Sequence, residues 1–376
     1  MEILSLQCDV CSQLFNYPLS QIEHRHPDLE IGGVPINFWQ AVYKLNSVNL
    51  TKDTNAKGIL KFRRMLPFEG IEIVSQNEGN TPLRKIESLS TNAQILLKDE
   101  SKNPTGSFKD RGMPLLFAEA KLLNKKRAAI PSTGNAGISF VSYSQLAGIE
   151  PVVFLPKNTS QAKIDMMRQN ASLVFDKDLI QSYEHFFEFC RKDEDTYNGF
   201  PATNIAYIQG LKTAAYEVYM QLNGNVPDWL VLPCGSGGNI LGYFQGFQDL
   251  QKMGLINRLP RFVSVQIAGA DPITYGLQNQ IKDRIPILPD PVSSRAEAIA
   301  SDTCFNYLKI VDILQTTNGL ATSVSDEEID RVGDFNGLEF SSRSVFPALT
   351  TIQSQLKQGE TVILVGTAKN RKELLA

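Results

Sequence analysis

The chain has 376 residues, of which 42% are hydrophobic and 20% are charged, and its formal net charge at pH 7 is −3. This length corresponds to roughly two domains and can bury a core without disulfides or metals. The lack of a basic excess argues against a nucleic-acid partner. No stretch approaches the ~20 apolar residues of a membrane span, so we expect no membrane partner either.

The five cysteines are too few and too scattered for a secreted disulfide framework. Residues 1–10 lack the basic and apolar regions of a signal peptide, so we expect a cytoplasmic protein. Cys8 and Cys11 have zinc-knuckle spacing, whereas His24 and His26 are closer together than paired histidine ligands usually are. We therefore predict that these residues bind no metal.

From about residue 76 onward, short apolar strands alternate with helices, whereas residues 1–75 show no comparable regularity. Such alternation is typical of parallel α/β sheets, in which ligands bind beyond the carboxyl ends of the strands. The sequence predicts strands at 95–97, 127–130, 151–155, 173–175, 229–232, 261–267 and 361–365. It predicts helices at 113–123, 138–146, 160–169, 180–190, 211–222 and 240–253.

Residues 103–112 combine a turn with a lysine at the start of a predicted helix. Ser107 is a candidate N-cap, which places Lys109 in the first helical turn. A lysine there opposes the helix dipole. The position favours an amine whose charge is absorbed by a Schiff base or a phosphate, although a solvated lysine also fits the pattern.

A second loop, residues 131–137, follows a predicted strand and precedes a predicted helix. Ser132, Thr133 and Gly134 offer hydroxyl and backbone N–H donors that suit a carboxylate or a phosphate. A hydroxyl-rich N-cap is the alternative.

A glycine-rich loop, residues 234–239, has the same position between a strand and a helix. Glycines allow close backbone approach, and a helix N-terminus adds about half a positive charge, so the loop predicts a phosphate site. The alternative is a tight turn in which the glycines only assist packing. A lysine, a phosphate loop and a carboxylate loop together indicate pyridoxal phosphate acting on an amino acid.

Several segments resemble the threonine synthase family of pyridoxal-phosphate enzymes in order and spacing. Residues 98–112 resemble the cofactor-lysine motif of that family, and residues 132–135 resemble its substrate-carboxylate loop. The other matching segments are 210–217, 235–239 and 265–266, and the resemblance extends from about residue 76 to residue 367.

The resemblance implies a fold-type II α/β enzyme, with two open, twisted, mostly parallel α/β domains and the cofactor between them. The large cofactor-binding domain would comprise residues 76–110 and 206–376, and the smaller, substrate-closing domain residues 111–205. Residues 1–75 would form an N-terminal extension with a degenerate cysteine knuckle, packed on the large domain. We also expect a homodimer.

The resemblance further implies roles for individual residues. Lys109 would bind the cofactor as a Schiff base and move the substrate Cα proton, Asn135 would bind the ring 3′-oxygen, and Thr367 would meet the pyridine nitrogen. The cofactor phosphate would be held by Gly235, Ser236, Gly237, Gly238 and Asn239. The substrate carboxylate would be held by Ser132, Thr133 and Gly134.

The substrate-phosphate pocket departs from the family pattern. Threonine synthases have an arginine where this chain has Tyr207, and a phenol cannot replace a bidentate guanidinium. Tyr207 would line the pocket, and the candidates for binding the phosphate are Lys163, Arg168 and Lys212. Residues 204–206 instead resemble the pocket of cysteate synthases, a sister group.

Three functions are compatible with these features. We expect first the reaction of O-phospho-L-serine with sulfite to give L-cysteate and phosphate. The alternative is the threonine synthase reaction, in which O-phospho-L-homoserine and water give L-threonine and phosphate. The third is a non-catalytic amino-acid sensor, which would have no need to keep Lys109, Asn135 and Thr367 together.

Overall fold

The computed structural model describes residues 3–8, 14–16, 30–31, 34–35, 39–43, 55–87, 89 and 92–371. The strands are β1 (Ile3–Cys8), β2 (Leu14–Asn16), β3 (Glu30–Ile31), β4 (Val34–Pro35), β5 (Trp39–Tyr43), β6 (Leu83–Lys85), β7 (Gln94–Asp99), β8 (Arg127–Pro131), β9 (Glu150–Pro156), β10 (Ser172–Asp176), β11 (Thr196–Asn198), β12 (Trp229–Pro233), β13 (Arg261–Ile267), β14 (Leu320–Val324) and β15 (Thr361–Gly366). The helices are α1 (Met113–Leu122), α2 (Asn135–Ala147), α3 (Gln161–Arg168), α4 (Leu179–Lys192), α5 (Ile205–Leu211), α6 (Thr213–Gln221), α7 (Gly238–Lys252), α8 (Pro272–Gln278), α9 (Tyr307–Thr316), α10 (Asp326–Val332), α11 (Phe340–Arg343) and α12 (Val345–Gln353).

The chain divides into two units. Unit 1 contains the described residues up to Glu78 together with Lys109–Leu211, and unit 2 contains Gly79–Phe108 and the described residues from Lys212 onward. The sequence analysis expects residues 1–75 to form an extension packed on the large domain, and the described residues from 55 to 78 group with unit 1. The reason is an apolar cluster in which Ile59 and Phe68 pack with Leu115, Ala118 and Ala206.

Unit 1 is built on a four-stranded parallel sheet with the order β10-β9-β8-β11. β9 is buried after its first residue, as expected for a strand covered by helices. One of these helices is α4, whose Phe186 ring lies 6.1 Å from the Phe154 ring of β9. The same unit contains the antiparallel sheet β2-β1-β5 and the pair β3-β4.

Unit 2 is built on a six-stranded sheet with the order β14-β13-β12-β15-β7-β6, which is parallel except for the edge strand β6. Its strands contribute Leu97, Trp229, Val263 and Leu364 to one apolar core. β12 and β15 are neighbours, so the segments that follow them lie at the same edge of the sheet.

Each predicted strand and helix is present, and the α/β fold class with mostly parallel sheets is confirmed. The predicted helix 211–222 corresponds to α6, which begins directly after Lys212, whose own backbone is also helical (φ −54°, ψ −29°). The sequence analysis does not predict the strands β1 to β6, β11 and β14, nor the helices α5 and α8 to α12.

Within the described residues, no helix is long and apolar enough to cross a membrane. The described part of the chain also contains no group of three or more His, Cys, Asp or Glu side chains that could hold a metal ion. Cys11, His24 and His26 lie outside the described residues, so the absence of zinc there stays a prediction.

Candidate functional site

The glycine-rich loop of unit 2 lies between β12 and α7. Gly237 has a left-handed backbone (φ +88°), which favours glycine. A Cβ atom on Gly235 would lie 2.4 Å from the carbonyl oxygen of Ala298, so only glycine fits there. Asn306 Nδ2 donates a hydrogen bond to the Ser236 carbonyl oxygen at 2.7 Å. These constraints hold the loop in one conformation.

The side chain of Asn239 indicates whether this loop suits a phosphate. Its side chain is buried, and its Nδ2 has no hydrogen-bond partner among the described residues. A buried donor without a partner costs about 1–3 kcal/mol. Asn239 also lies at the start of α7, a helix of 15 residues, and helix N-termini carry N–H groups without intrahelical partners. An anion would satisfy both sets of donors, so the loop fits the phosphate of the expected cofactor.

We expect Gly235→Ala to weaken cofactor binding by about tenfold or more, which corresponds to at least about 1.4 kcal/mol. The added methyl group would collide with the Ala298 carbonyl and displace the loop. Titration of the protein with pyridoxal phosphate, followed by visible absorption, measures the effect. Gly254→Ala is the control, because an added Cβ at Gly254 would have open space around it, and only the positive φ (+72°) there would strain an alanine. That variant should lose stability and keep its cofactor affinity.

Thr367 directly follows β15 and therefore lies at the same sheet edge as the glycine-rich loop. Its Oγ1 is 2.7 Å from Ser342 Oγ. Its carbonyl oxygen accepts a hydrogen bond from the N–H of Phe108 at 2.9 Å. Since Phe108 precedes Lys109 in the chain, Thr367 fixes the backbone next to the expected cofactor lysine.

Lys109 lies in the 3₁₀ turn Phe108–Arg111, and α1 begins only at Met113. The expected N-cap at Ser107 is wrong, because its buried hydroxyl has no hydrogen-bond partner among the described residues. Lys109 is therefore not in the first turn of an α-helix, and the dipole argument does not apply to it. The assignment of Lys109 as the cofactor-binding lysine therefore rests on the family motif around it.

The second loop, in unit 1, joins β8 to α2. Ser132 Oγ accepts hydrogen bonds from the N–H groups of Gly137 at 2.9 Å and Gly134 at 3.3 Å, so this oxygen supports the turn itself. Thr133, Gly134 and Asn135 are partly exposed, and Asn135 is the first residue of α2. The loop thus combines a helix N-terminus with accessible polar groups, which suits a carboxylate.

Lys163 of α3 approaches this second loop. A Cβ atom on Gly134 would lie 3.8 Å from Lys163 Nζ, so the ammonium group lies next to the loop backbone. The Arg168 guanidinium, in contrast, lies 5.8 Å from the ring centroid of Phe175. Of these two cations, Lys163 is the one that adds positive charge to the expected anion site.

Lys212 does not lie at a ligand-binding surface, contrary to the sequence-based expectation. Its side chain is fully buried, and its Nζ lies 2.7 Å from Asp249 Oδ2. The Tyr216 hydroxyl donates to the same carboxylate oxygen at 2.6 Å. Burial lowers the pKa of Lys212, and the Asp249 charge opposes that shift. Lys212 is thus part of the packing between α6 and α7.

We expect Lys212→Ala to destabilise the protein by about 3–5 kcal/mol, because it leaves the buried Asp249 carboxylate without its counter-ion. Urea unfolding measures this loss. Lys252→Ala, which removes an exposed lysine from α7, is the control and should change stability little. If Lys212→Ala kept its stability and its KM for the substrate rose, Lys212 would be a substrate-binding residue after all.

Tyr207 is also buried, on α5. A Cβ atom on Gly112 would lie 2.2 Å from Tyr207 Cδ2, so the ring packs directly on the Gly112 backbone. Burial, and to a lesser extent the charge of Asp110, raises the pKa of the phenol well above its ordinary value. Tyr207 is therefore a neutral packing residue and offers no positive charge to a substrate phosphate.

The sequence analysis does not identify Asn306, which holds the phosphate loop, or Ser342, which contacts Thr367. Neither residue belongs to a recognisable motif. Each contacts a residue far away in sequence, so no local signal points to either.

Comparison with known proteins identifies the family of the chain. Residues 74–367 match the family described as pyridoxal-phosphate dependent enzyme. Threonine synthase of Methanocaldococcus jannaschii is 31% identical over 282 residues, which cover 72% of this chain and 68% of that protein. Threonine synthase of Mycobacterium tuberculosis is 35% identical over 263 residues, which cover 67% of this chain and 68% of that protein.

Solved structures share the fold at lower identity. The L-serine ammonia-lyase of Rhizomucor miehei has a TM-score of 0.66 at 20% identity and covers 77% of this chain and 93% of its own. Maize serine racemase has a TM-score of 0.65 at 18% identity, with 77% and 88% covered. These two likenesses show the fold alone, whereas the family match identifies pyridoxal phosphate as the cofactor. The chain belongs to the threonine synthase family of fold-type II pyridoxal-phosphate enzymes.

Proposed function

We propose that this enzyme converts O-phospho-L-homoserine and water to L-threonine and phosphate. The observation that carries the proposal is the 31–35% identity to two threonine synthases over about two thirds of the chain or more. The sequence analysis favours O-phospho-L-serine and sulfite as substrates, but the comparisons favour the second of its reactions.

We propose that unit 2 binds the phosphate and the ring nitrogen of the cofactor and that unit 1 binds the substrate carboxylate. In unit 2, the backbone of 235–238 and the Asn239 amide would hold the cofactor phosphate, and the Thr367 hydroxyl would meet the ring nitrogen. In unit 1, Asn135 would bind the ring 3′-oxygen and the 132–134 segment the carboxylate. A hydroxyl partner leaves the ring nitrogen unprotonated, which suits elimination and replacement.

Lys109 has two proposed tasks: its amine holds the cofactor, and it later takes the proton from the substrate Cα. Pyridoxal phosphate, when bound, supplies the electron sink that makes this Cα proton acidic. Release of phosphate from Cγ requires a further proton to leave Cβ and a proton to be added at Cγ before water adds at Cβ. We propose that the same amine moves these protons.

The substrate phosphate is proposed to bind Lys163. Tyr207 stands where the family pattern has an arginine, and because it is neutral and packed on Gly112 it offers no charge to a phosphate. Lys212 is excluded by its buried ion pair with Asp249. Lys163 is the cation next to the second loop that an anionic substrate could reach.

The cysteate reaction stays as a second candidate because of Tyr207. Without a guanidinium at that position, the pocket lacks the group that grips the phosphate of the longer substrate. With O-phospho-L-serine, the phosphate leaves from Cβ and sulfite adds to the same carbon, so the reaction needs no Cβ proton transfer.

Product analysis separates these functions. The purified enzyme with pyridoxal phosphate is incubated with O-phosphohomoserine, or with O-phosphoserine with and without sulfite, and phosphate and amino acids are measured. We expect equal amounts of phosphate and threonine from O-phosphohomoserine. Faster formation of cysteate would instead establish the second candidate. No phosphate release from either compound, despite binding, would support the sensor.

We also propose that the enzyme is a homodimer and is located in the cytoplasm. Light scattering of the purified protein tests the first statement, since a mass of two chains is expected. A monomer that is fully active would contradict it.

A further inference from the structure

We propose that Ser342 is a positioning residue that directs the Thr367 hydroxyl hydrogen toward the cofactor ring nitrogen. Ser342 lies in α11 and is fully buried. Its Oγ is 2.7 Å from Thr367 Oγ1, and either oxygen could be the donor. The inference rests on the ring-nitrogen role proposed for Thr367, and it does not depend on the identity of the substrate.

The hydrogen bonds around Ser342 allow either oxygen to donate. Ser342 Oγ accepts a hydrogen bond from the N–H of Ala368 at 2.8 Å. Its single hydrogen can reach Thr367 Oγ1 at 2.7 Å or the Ala368 carbonyl oxygen at 3.2 Å. The Ala368 carbonyl oxygen already accepts the Glu339 N–H at 3.0 Å, so it does not need this hydrogen. We therefore infer that Ser342 donates to Thr367 when the Thr367 hydroxyl donates to the ring nitrogen.

The direction of the Ser342–Thr367 hydrogen bond determines whether the Thr367 hydroxyl can donate to the ring nitrogen. When Ser342 donates to it, the hydrogen of Thr367 is available for a third group, and an unprotonated pyridine nitrogen is an acceptor. When Thr367 donates to Ser342 instead, it offers a lone pair, which suits a protonated ring. Ser342 thus favours the unprotonated ring, and a chain of two hydrogen bonds in one direction strengthens the second.

The backbone around Ser342 is built to hold this geometry. The N–H of Glu339 donates to the Ala368 carbonyl oxygen at 3.0 Å, and the N–H of Asn370 donates to the Gly337 carbonyl oxygen at 2.7 Å. The segment before α11 therefore runs along the residues that follow Thr367. Ser342 is held against Thr367 by these bonds and not by its own side chain alone.

The test is a double-mutant cycle on the holoenzyme with Ser342→Ala, Thr367→Val and the combined variant. The measurements are the absorption spectrum of the bound cofactor against pH, its dissociation constant and the melting temperature. We expect Ser342→Ala to shift the spectral pH midpoint and to weaken cofactor binding by about three- to tenfold. In the Thr367→Val background, Ser342→Ala should change neither cofactor property further.

The melting temperature separates a loss of folding stability from a loss of the contact with Thr367. Ser342→Ala removes the acceptor of the buried Ala368 N–H, so the melting temperature should fall in both backgrounds. Ser344→Ala is the matched control. Ser344 is also fully buried and its Oγ donates only to backbone, at 2.8 Å from the Ser341 oxygen. It should lower the melting temperature and leave the cofactor spectrum unchanged.

A spectral change from Ser342→Ala of equal size in both backgrounds would overturn the proposal, as would a normal spectrum in the destabilised single variant. Should Ser342→Ala not fold, Ser342→Cys keeps a similar volume with a weaker donor, and the same comparison applies. An unchanged spectrum in Thr367→Val would remove the ring-nitrogen role together with this inference. Failure to convert either phosphorylated amino acid would refute the proposed function alone.

Discussion

Replacement of Lys109 by alanine should reduce turnover by about 10³-fold or more, because it removes both the amine that holds the cofactor and the base that moves the Cα proton. The visible absorption band of the covalently bound cofactor should disappear as well. Borohydride reduction of the wild-type enzyme fixes the cofactor to its lysine, and peptide mass mapping should then find it on Lys109.

Lys102→Ala is the matched control, because Lys102 lies in the same motif but is exposed at the end of the 3₁₀ turn Glu100–Lys102. That variant should keep its spectrum and its activity. A modified peptide containing another lysine, or turnover of Lys109→Ala at the wild-type rate, would contradict the assignment.

The strands and loops that position the site were predictable because their signals are local. Strands such as β9 and β12 are short apolar runs that are buried on both faces, and the loops that follow β8 and β12 carry glycines and hydroxyls at fixed places. β14 was missed because its burial is only partial and its identity as a strand depends on pairing with β13. No window of sequence contains that pairing.

Contacts between residues far apart in sequence explain why Lys212 was misassigned and Ser342 was missed. Lys212 has the sequence context of an exposed helical lysine, but Asp249, 37 residues away, forms a buried ion pair with it. Ser342 and Thr367 are 25 residues apart, and neither side of their hydrogen bond is marked by a motif. Ser107 satisfies the local rule for an N-cap, yet its hydroxyl caps nothing.

Replacement of Lys163 by glutamine should lower kcat/KM for the phosphorylated substrate by about 10- to 100-fold, mainly through KM. A hydrogen bond to a charged group contributes about 1.5–3 kcal/mol, and glutamine is a polar side chain one atom shorter than lysine that carries no charge. Steady-state kinetics with O-phosphohomoserine measure the loss. Lys157→Gln is the control, since Lys157 is exposed in the same unit.

A substrate with an uncharged leaving group shows whether Lys163 binds the phosphate or another part of the substrate. O-acetyl-L-homoserine has the same carbon skeleton but lacks the dianion, so Lys163→Gln should change its slow conversion little. An equal loss with both compounds would place Lys163 at the carboxylate instead, since both substrates carry that group.

Kinetics with O-phosphoserine and sulfite test how far from Cα the phosphate lies when Lys163 binds it. A larger loss with O-phosphoserine would show that Lys163 meets a phosphate one carbon closer to Cα, which is the geometry that the cysteate reaction requires.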